Sequence, residues 1–321
     1  MRGAVVNRCG WRPGIRLLRR PWSNRHRRRL VIDGVGEARE FHLVRLPDTV
    51  FAAMNARIAF VFLLAGALAV PGTAQLAAPN AMGVSAGHIH LYVSDVAAHQ
   101  KFWTLMGGVP VANQKLAMIQ FPGVFILFRK AETKGGPAGS IVNHFGFVWK
   151  DLPAAMAKWK AEGYQIEQDQ DPNHGYVLGP DGIRLEFSGD PSLNVPVQMN
   201  HIHLYPQDVP AMQAWYERIL GAAPCRRALG GSHEPIDCVD IPGVILAMSK
   251  SETPLEPTAG RSLDHIGFDV KDLPEFLKRA EAQGATITQK LTPSNFSSKM
   301  RVAFITDPWG TKMEVTEGLA P

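Results

Sequence analysis

Cysteine is scarce: three in 321 residues and no CxxC pair, which excludes a disulfide scaffold and leaves no zinc-ribbon signature. Long hydrophobic runs are missing too. The most apolar stretch, Ile58 to Val70, holds 13 residues, where a membrane span needs about 20. No GxSxG elbow, Walker loop or dinucleotide fingerprint occurs, and no cysteine has an activating base beside it in sequence, so nucleophilic acyl transfer and nucleotide chemistry lack their usual parts. Lysine is absent from residues 1–74, which carry 13 Arg against four acidic residues, a net +9. Residues 75–321 carry a net −4, so the overall pI near 9.2 belongs to the leader. A nucleic-acid partner therefore loses its electrostatic support. With 45% apolar and 20% charged residues, the remainder can build a packed core of about two domains.

From Met54 the chain reads MNARIAFVFLLAGALAVPGTAQ. A short positive region at Arg57, the apolar stretch and the small-residue site Gly72-Thr73-Ala74 follow the order of a secretory signal peptide. The reading expects a signal peptide over 54–74, a basic upstream extension over 1–53 ahead of the true start, and a periplasmic or secreted protein beginning near Gln75.

Beyond the leader the sequence repeats itself. HIHLYVSD (88–95) recurs as HIHLYPQD (201–208), and NHFGFVWKDLP (143–153) as DHIGFDVKDLP (264–274). FPGVFIL (121–127) matches IPGVIL (241–246), and GPDGIRLEF (179–187) matches DPWGTKMEV (307–315). Four histidines, His88, His144, His201 and His265, each stand seven residues before an aspartate. The apolar alternation between them reads as a strand. Each aspartate then falls where a helix N-cap belongs, and Gly107, Gly163, Gly221 and Gly284 mark the helix ends. The unit is a strand, a helix and two or three further strands, four times over. Residues 75–87 and 191–200 read as linkers, and 88–190 and 201–318 as two domains.

This pattern resembles the vicinal oxygen chelate superfamily of glyoxalase I, fosfomycin- and bleomycin-resistance proteins and extradiol dioxygenases, over about 230 residues. The resemblance implies an α+β fold of four βαβββ modules forming two tandem domains, each a curled mixed sheet around a metal-site cleft. It carries metal ligands over to His88, His144 and Glu186 in the first domain and to His201, His265 and Glu314 in the second. Two histidines and a carboxylate form the facial set of non-heme iron, so Fe(II) is favoured, with Mn, Zn or Ni as alternatives.

His90 and His203 lie two residues past a ligand candidate and so share its strand face. Tyr176, with Pro180, Gly182 and Glu186 after it, resembles the end of the extradiol signature, in which a tyrosine bonds the substrate beside the metal. The extradiol catalytic histidine position is Glu167 here, while His174 stands two residues from the tyrosine; the second half has Phe304 and Asn295 instead. The strands 123–130 and 242–250 contain no Asp or Glu, so the four-ligand glyoxalase pattern is not met. His90, His174 and Tyr176, with His203 in the second half, are the candidates for proton transfer or substrate orientation. The expected function is that of an exported metal-dependent enzyme acting on a small oxygen-chelating substrate, by dioxygenase-like ring cleavage or glyoxalase- or epimerase-like lyase chemistry. The alternative is non-catalytic ligand binding of the bleomycin-resistance type. The partner is a small molecule, with a homodimer admitted, no nucleic acid, and no membrane once the signal is removed.

Cys225 and Cys238 flank a polar stretch whose midpoint lies between Gly231 and Ser232. Folded there as a β-hairpin, the two become directly opposed, within disulfide reach; two small apolar residues packed on a hairpin is the other reading.

Overall fold

A computed structural model of the protein describes residues 76–111, 116–229, 234–294, 297 and 299–319. The expected upstream extension, the signal peptide and the turn at Gly231 and Ser232 lie outside the described residues. The first module is β1 (Val84–Val93), α1 (Val96–Leu105), β2 (Val109–Val111), β3 (Ala117–Phe121) and β4 (Val124–Lys130). The second is β5 (Val142–Trp149), α2 (Leu152–Ala161), β6 (Ile166–Gln168), β7 (His174–Leu178) and β8 (Arg184–Gly189). The third is β9 (Val197–Leu204), α3 (Val209–Leu220), β10 (Ala223–Arg227), β11 (Ile236–Ile241) and β12 (Val244–Met248). The fourth is β13 (Leu263–Val270), α4 (Leu273–Ala282), β14 (Thr286–Pro293), β15 (Arg301–Thr306) and β16 (Lys312–Glu317). Strands thus begin inside both expected linkers, at Val84 and Val197.

Each helix starts for the reason its aspartate suggested. Asp95 accepts from the amides of Ala97 and Ala98, Asp151 from Ala154, Asp208 from Ala211, and Asp272 from Glu275. Each cap is worth about 1 kcal/mol. After each helix a glycine takes the positive φ that other residues resist: 105° at Gly107, 81° at Gly163, 65° at Gly221 and 88° at Gly284.

The strands form two eight-stranded mixed sheets, and neither closes into a barrel. The first runs β14-β15-β16-β13-β1-β4-β3-β2, the second β10-β11-β12-β9-β5-β8-β7-β6. Module one therefore shares a sheet with module four, and module two with module three. The division into 88–190 and 201–318 does not describe the sheets. Connection length accounts for much of this. Residues 190–196 are the shortest link between modules. They join β8 to β9, which lies antiparallel to the intervening β5, so the chain turns back at one end of one sheet. The longer links, 131–141 and 249–262, carry the chain from one sheet to the other.

Side chains alternate across each strand. Ile89 and Leu91, Phe145 and Phe147, Ile202 and Leu204, and Ile266 and Phe268 enter one continuous core that both sheets share. Trp103 of α1 stacks on Phe145 at 5.5 Å, and Phe121 meets Phe147 edge-on at 4.8 Å, tying module one to the second sheet. Each such buried side chain contributes about 1.5–3 kcal/mol of transfer free energy. The alternate positions, which hold the histidines, are turned to the opposite faces.

The β10–β11 hairpin has the expected register: Cys225 opposes Cys238, their Cα atoms are 4.9 Å apart, and they form a disulfide. The same row continues through Ala247 and His203 to His144, so the disulfide lies on the histidine-bearing face.

Candidate metal centres

On the second sheet, β5 and β9 bring His144 and His201 together, and parallel β8 supplies Glu186 from the next strand. All three are buried. Glu186 Oε2 lies 2.8 Å from His144 Nε2 and 3.5 Å from His201 Nε2, and neither contact is aligned as a hydrogen bond. The far side of each ring is fixed: His144 Nδ1–H donates to Asn143 Oδ1 and His201 Nδ1–H to Asn200 Oδ1, both at 2.9 Å. That tautomer leaves an Nε2 lone pair on each ring facing the carboxylate. Two imidazoles and a carboxylate converge in this buried set, and when both rings are neutral their lone pairs and the carboxylate make a donor set that fits a divalent cation.

Further groups surround this set. Tyr176 on β7 opposes Glu186 and donates to its Oε2 at 3.2 Å, with the Arg184 guanidinium 3.3 Å over the phenol ring. His174, on the same face, reaches Glu186 Oε1 at 3.3 Å with Nε2 and Asp169 with Nδ1. His203 Nε2 pairs with Ser249 Oγ at 2.8 Å while its ring stacks on Tyr205 at 4.6 Å. A cavity of about 170 Å³ opens among Asp169, His174, Tyr176, Glu186, His201 and His203, with Leu229 and Ile236 as its apolar wall.

The electrostatics separate these groups. Burial alone would raise the Glu186 carboxyl, but His144, His174 and His201 outweigh it and hold the carboxyl well below its usual range. Contact with Glu186 pushes His174 up to about 9 against burial, with Asp169 adding to the effect. Burial, with His144 and His201 beside it, brings His203 down to about 3. Burial also raises the Tyr176 phenol, keeping its proton in place.

The first sheet repeats the framework. His265 Nε2 and His88 Nε2 reach Glu314 Oε2 at 2.8 and 3.2 Å. His265 Nδ1 bonds Asp264 Oδ1 at 2.5 Å, and the Lys312 ammonium donates to that same oxygen at 2.6 Å. Burial works against it, but His265 and Lys312 hold the Asp264 carboxyl low. Phe304 opposes Glu314 where Tyr176 opposes Glu186, and Val302 takes the place of His174.

All six expected ligands face a site, but in different company. His88 meets His265 and Glu314, and His144 meets His201 and Glu186; the expected sets His88/His144/Glu186 and His201/His265/Glu314 do not assemble. Among the proton-transfer candidates, His174, Tyr176 and His203 gather at the second-sheet centre. His90 is on the first sheet, apart from the His174 and Tyr176 with which it was grouped. Asn143, Asn200 and Asp264 were not among the expected site residues, although an amide or carboxylate before three of the four histidines is a usable sequence signal. Gly146 and Gly267, each two residues after a histidine, were not among them either. Gly146 opposes His201 and Gly267 opposes His88. An added Cβ would stand 2.4 Å and 2.1 Å from those rings, so only glycine leaves them room.

Residues 198–315 match the family described as the Glyoxalase/Bleomycin resistance protein/Dioxygenase superfamily. That segment carries the superfamily's match, and the modules before it repeat the same order of strands and helix. Among solved structures, glyoxalase I from Zea mays superposes with a TM-score of 0.61 at 16% identity, covering 73% of this chain and 92% of its own. A dioxygenase candidate from Bacillus subtilis gives 0.54 at 15% identity, covering 76% and 86%. At these identities the likeness is one of fold. A search of curated protein sequences finds no match.

Proposed function

We propose that the protein is an exported metal-dependent enzyme whose reaction centre is the β5/β9 site, acting on a small substrate with two neighbouring oxygens. The observation that carries the reading is the convergence of His144 Nε2, His201 Nε2 and Glu186 beside a cavity that also holds Tyr176, His174 and His203. A bound divalent ion would supply Lewis-acid polarisation of the two substrate oxygens. The two imidazoles and one carboxylate favour Fe(II), with Mn, Zn or Ni as alternatives.

The chain's own groups divide the remaining work. His174, protonated up to about pH 9, carries an acidic proton at the rim of the cavity. His203, neutral above about pH 3, can accept one from the opposite wall. Environments that push two titratable groups apart in this way assign acid and base. Tyr176 keeps its proton and can donate a hydrogen bond to a substrate oxygen beside Glu186. Leu229 and Ile236 restrict water on the remaining side. Export is supported by the leader's order and by the Cys225–Cys238 disulfide, a bond that persists in oxidising compartments.

The test is anaerobic reconstitution with Fe(II), followed by addition of oxygen in the presence of 1,2-dihydroxybenzenes. Oxygen uptake with ring-opened product, lost in Glu186→Gln, supports dioxygenase chemistry. Turnover of 2-oxoaldehyde thiol adducts without oxygen uptake, lost in the same variant, selects the lyase form of the proposal. Binding of planar ligands by metal-free protein, with no turnover under any metal, would overturn it in favour of a binding protein.

A further inference from the structure

The first-sheet centre differs from its counterpart in a way its ligand set alone does not explain. His90 lies on β1 in register with His265, its ring centroid 4.5 Å from that of His265 and 6.3 Å from that of His88. Both of its ring nitrogens are buried and neither has a hydrogen-bond partner. A neutral imidazole carries one donor and one acceptor, and burying both unmet is costly. At the equivalent point of the second sheet, His203 is engaged by Ser249 and Tyr205. One donor atom each from His88, His90, His265 and Glu314 lies within 4.8 Å of the other three, as also holds for His144, His201, His203 and Glu186, so the two sheets differ in whether the extra histidine already has a partner.

The surroundings differ as well. Phe125 and Leu127 flank His88 and His90 on β4, and Met118 opposes Leu127 on β3. With Val302, Met300, Leu76 and Leu319 they form a buried apolar cluster on this face. The second-sheet site opens on a polar cavity, whereas this apolar cluster lies on the face of the first.

We propose that the first-sheet centre is a closed structural metal site of four protein ligands, His88, His90, His265 and Glu314, for Zn²⁺ or a similar divalent ion. His90 takes the position that a substrate would need, and the apolar cluster keeps solvent out. Structural sites are closed by protein ligands, whereas catalytic sites keep a position open. The two sheets of one chain thereby divide the tasks: one metal holds module one to module four, and the other site does chemistry. This inference does not depend on the chemistry assigned to the β5/β9 site.

The test uses the full mature chain carrying Glu186→Gln, so that the first-sheet centre is the one left intact, and Zn²⁺ and Co²⁺ as probes. One equivalent of Zn²⁺ should resist prolonged dialysis against EDTA. The Co²⁺ form should show the intense visible bands of four-coordinate cobalt. Adding His90→Ala, and separately His90→Gln in case the smaller side chain unsettles the strand, should weaken Zn²⁺ retention at least 10-fold, as loss of even an outer partner does at metal sites. The cobalt bands should weaken in both variants. Rapid stripping by EDTA, cobalt bands of six-coordinate intensity, or Zn²⁺ retention unchanged by both substitutions would overturn the proposal.

Discussion

Gly146→Ala alters no candidate ligand and still should disable the β5/β9 centre. The new Cβ would stand 2.4 Å from His201 Cε1 and 2.7 Å from Nδ1, against an ordinary contact beginning at 3.4 Å. The ring must therefore retreat by about 1 Å, twice the roughly 0.5 Å within which a functional constellation must be held. His201 has little room for this, since it is buried and its Nδ1–H is tied to Asn200 at 2.9 Å. Forcing one methyl into a packed site costs about 1–3 kcal/mol, or a fall in Tm of roughly 2–12 °C for a chain of this size. Metal affinity should fall about 10- to 100-fold, the usual effect of misorienting a ligand. Competition against a chromophoric chelator, alongside a thermal melt, reads both numbers from one preparation. The first-sheet centre should keep its metal, and Gly267→Ala should give the mirror result by displacing His88. A folded Gly146→Ala protein that binds metal as tightly as its parent would refute the placement of His201.

Replacing both Cys225 and Cys238 with serine should cost about 3 kcal/mol, the chain-entropy value for a closed loop of about 14 residues. Thiol titration of the denatured exported protein without reductant should find none; two reactive thiols would contradict the bond. His99 lies outside both centres. Burial holds its imidazole below its ordinary value despite the opposing pull of Asp181. It is therefore neutral in the fold and charged in the unfolded chain below about pH 6.5, so it contributes stability above that pH that is lost as pH falls. Denaturant midpoints measured from pH 7.5 to 5 should fall, and His99→Gln should flatten the slope; an unchanged slope would reject the assignment. N-terminal sequencing of the exported protein should begin near Gln75, and an intact segment 1–53 would contradict the export reading.

The modules were legible because each carries its own punctuation. An aspartate seven residues after a histidine caps a helix whatever partner the module finds, and the cysteine spacing sets a hairpin register by arithmetic alone. Partner choice was not legible, because the repeats are near-equivalent. The H-x-H strands β1 and β9 each need an H-x-G strand opposite, and β5 or β13 satisfies either. Links of different length and the Trp103–Phe145 packing decide the matter, and these are tertiary facts. The contrast between the two sites was only half visible. Tyr176 against Phe304 marked the second-sheet site as the more polar, but the apolar cluster on the face of the first includes Leu76 and Leu319, which are more than 240 residues apart in sequence.

The central claim is that His144, His201 and Glu186 hold the metal at which the chemistry takes place. Elemental analysis of protein purified without chelator, compared with His144→Ala, tests it most directly. Two equivalents of divalent metal are expected in the parent and one in the variant, with no turnover once the β5/β9 equivalent is gone. Equal metal content in the two proteins, with His144→Ala changing stability alone, would contradict it.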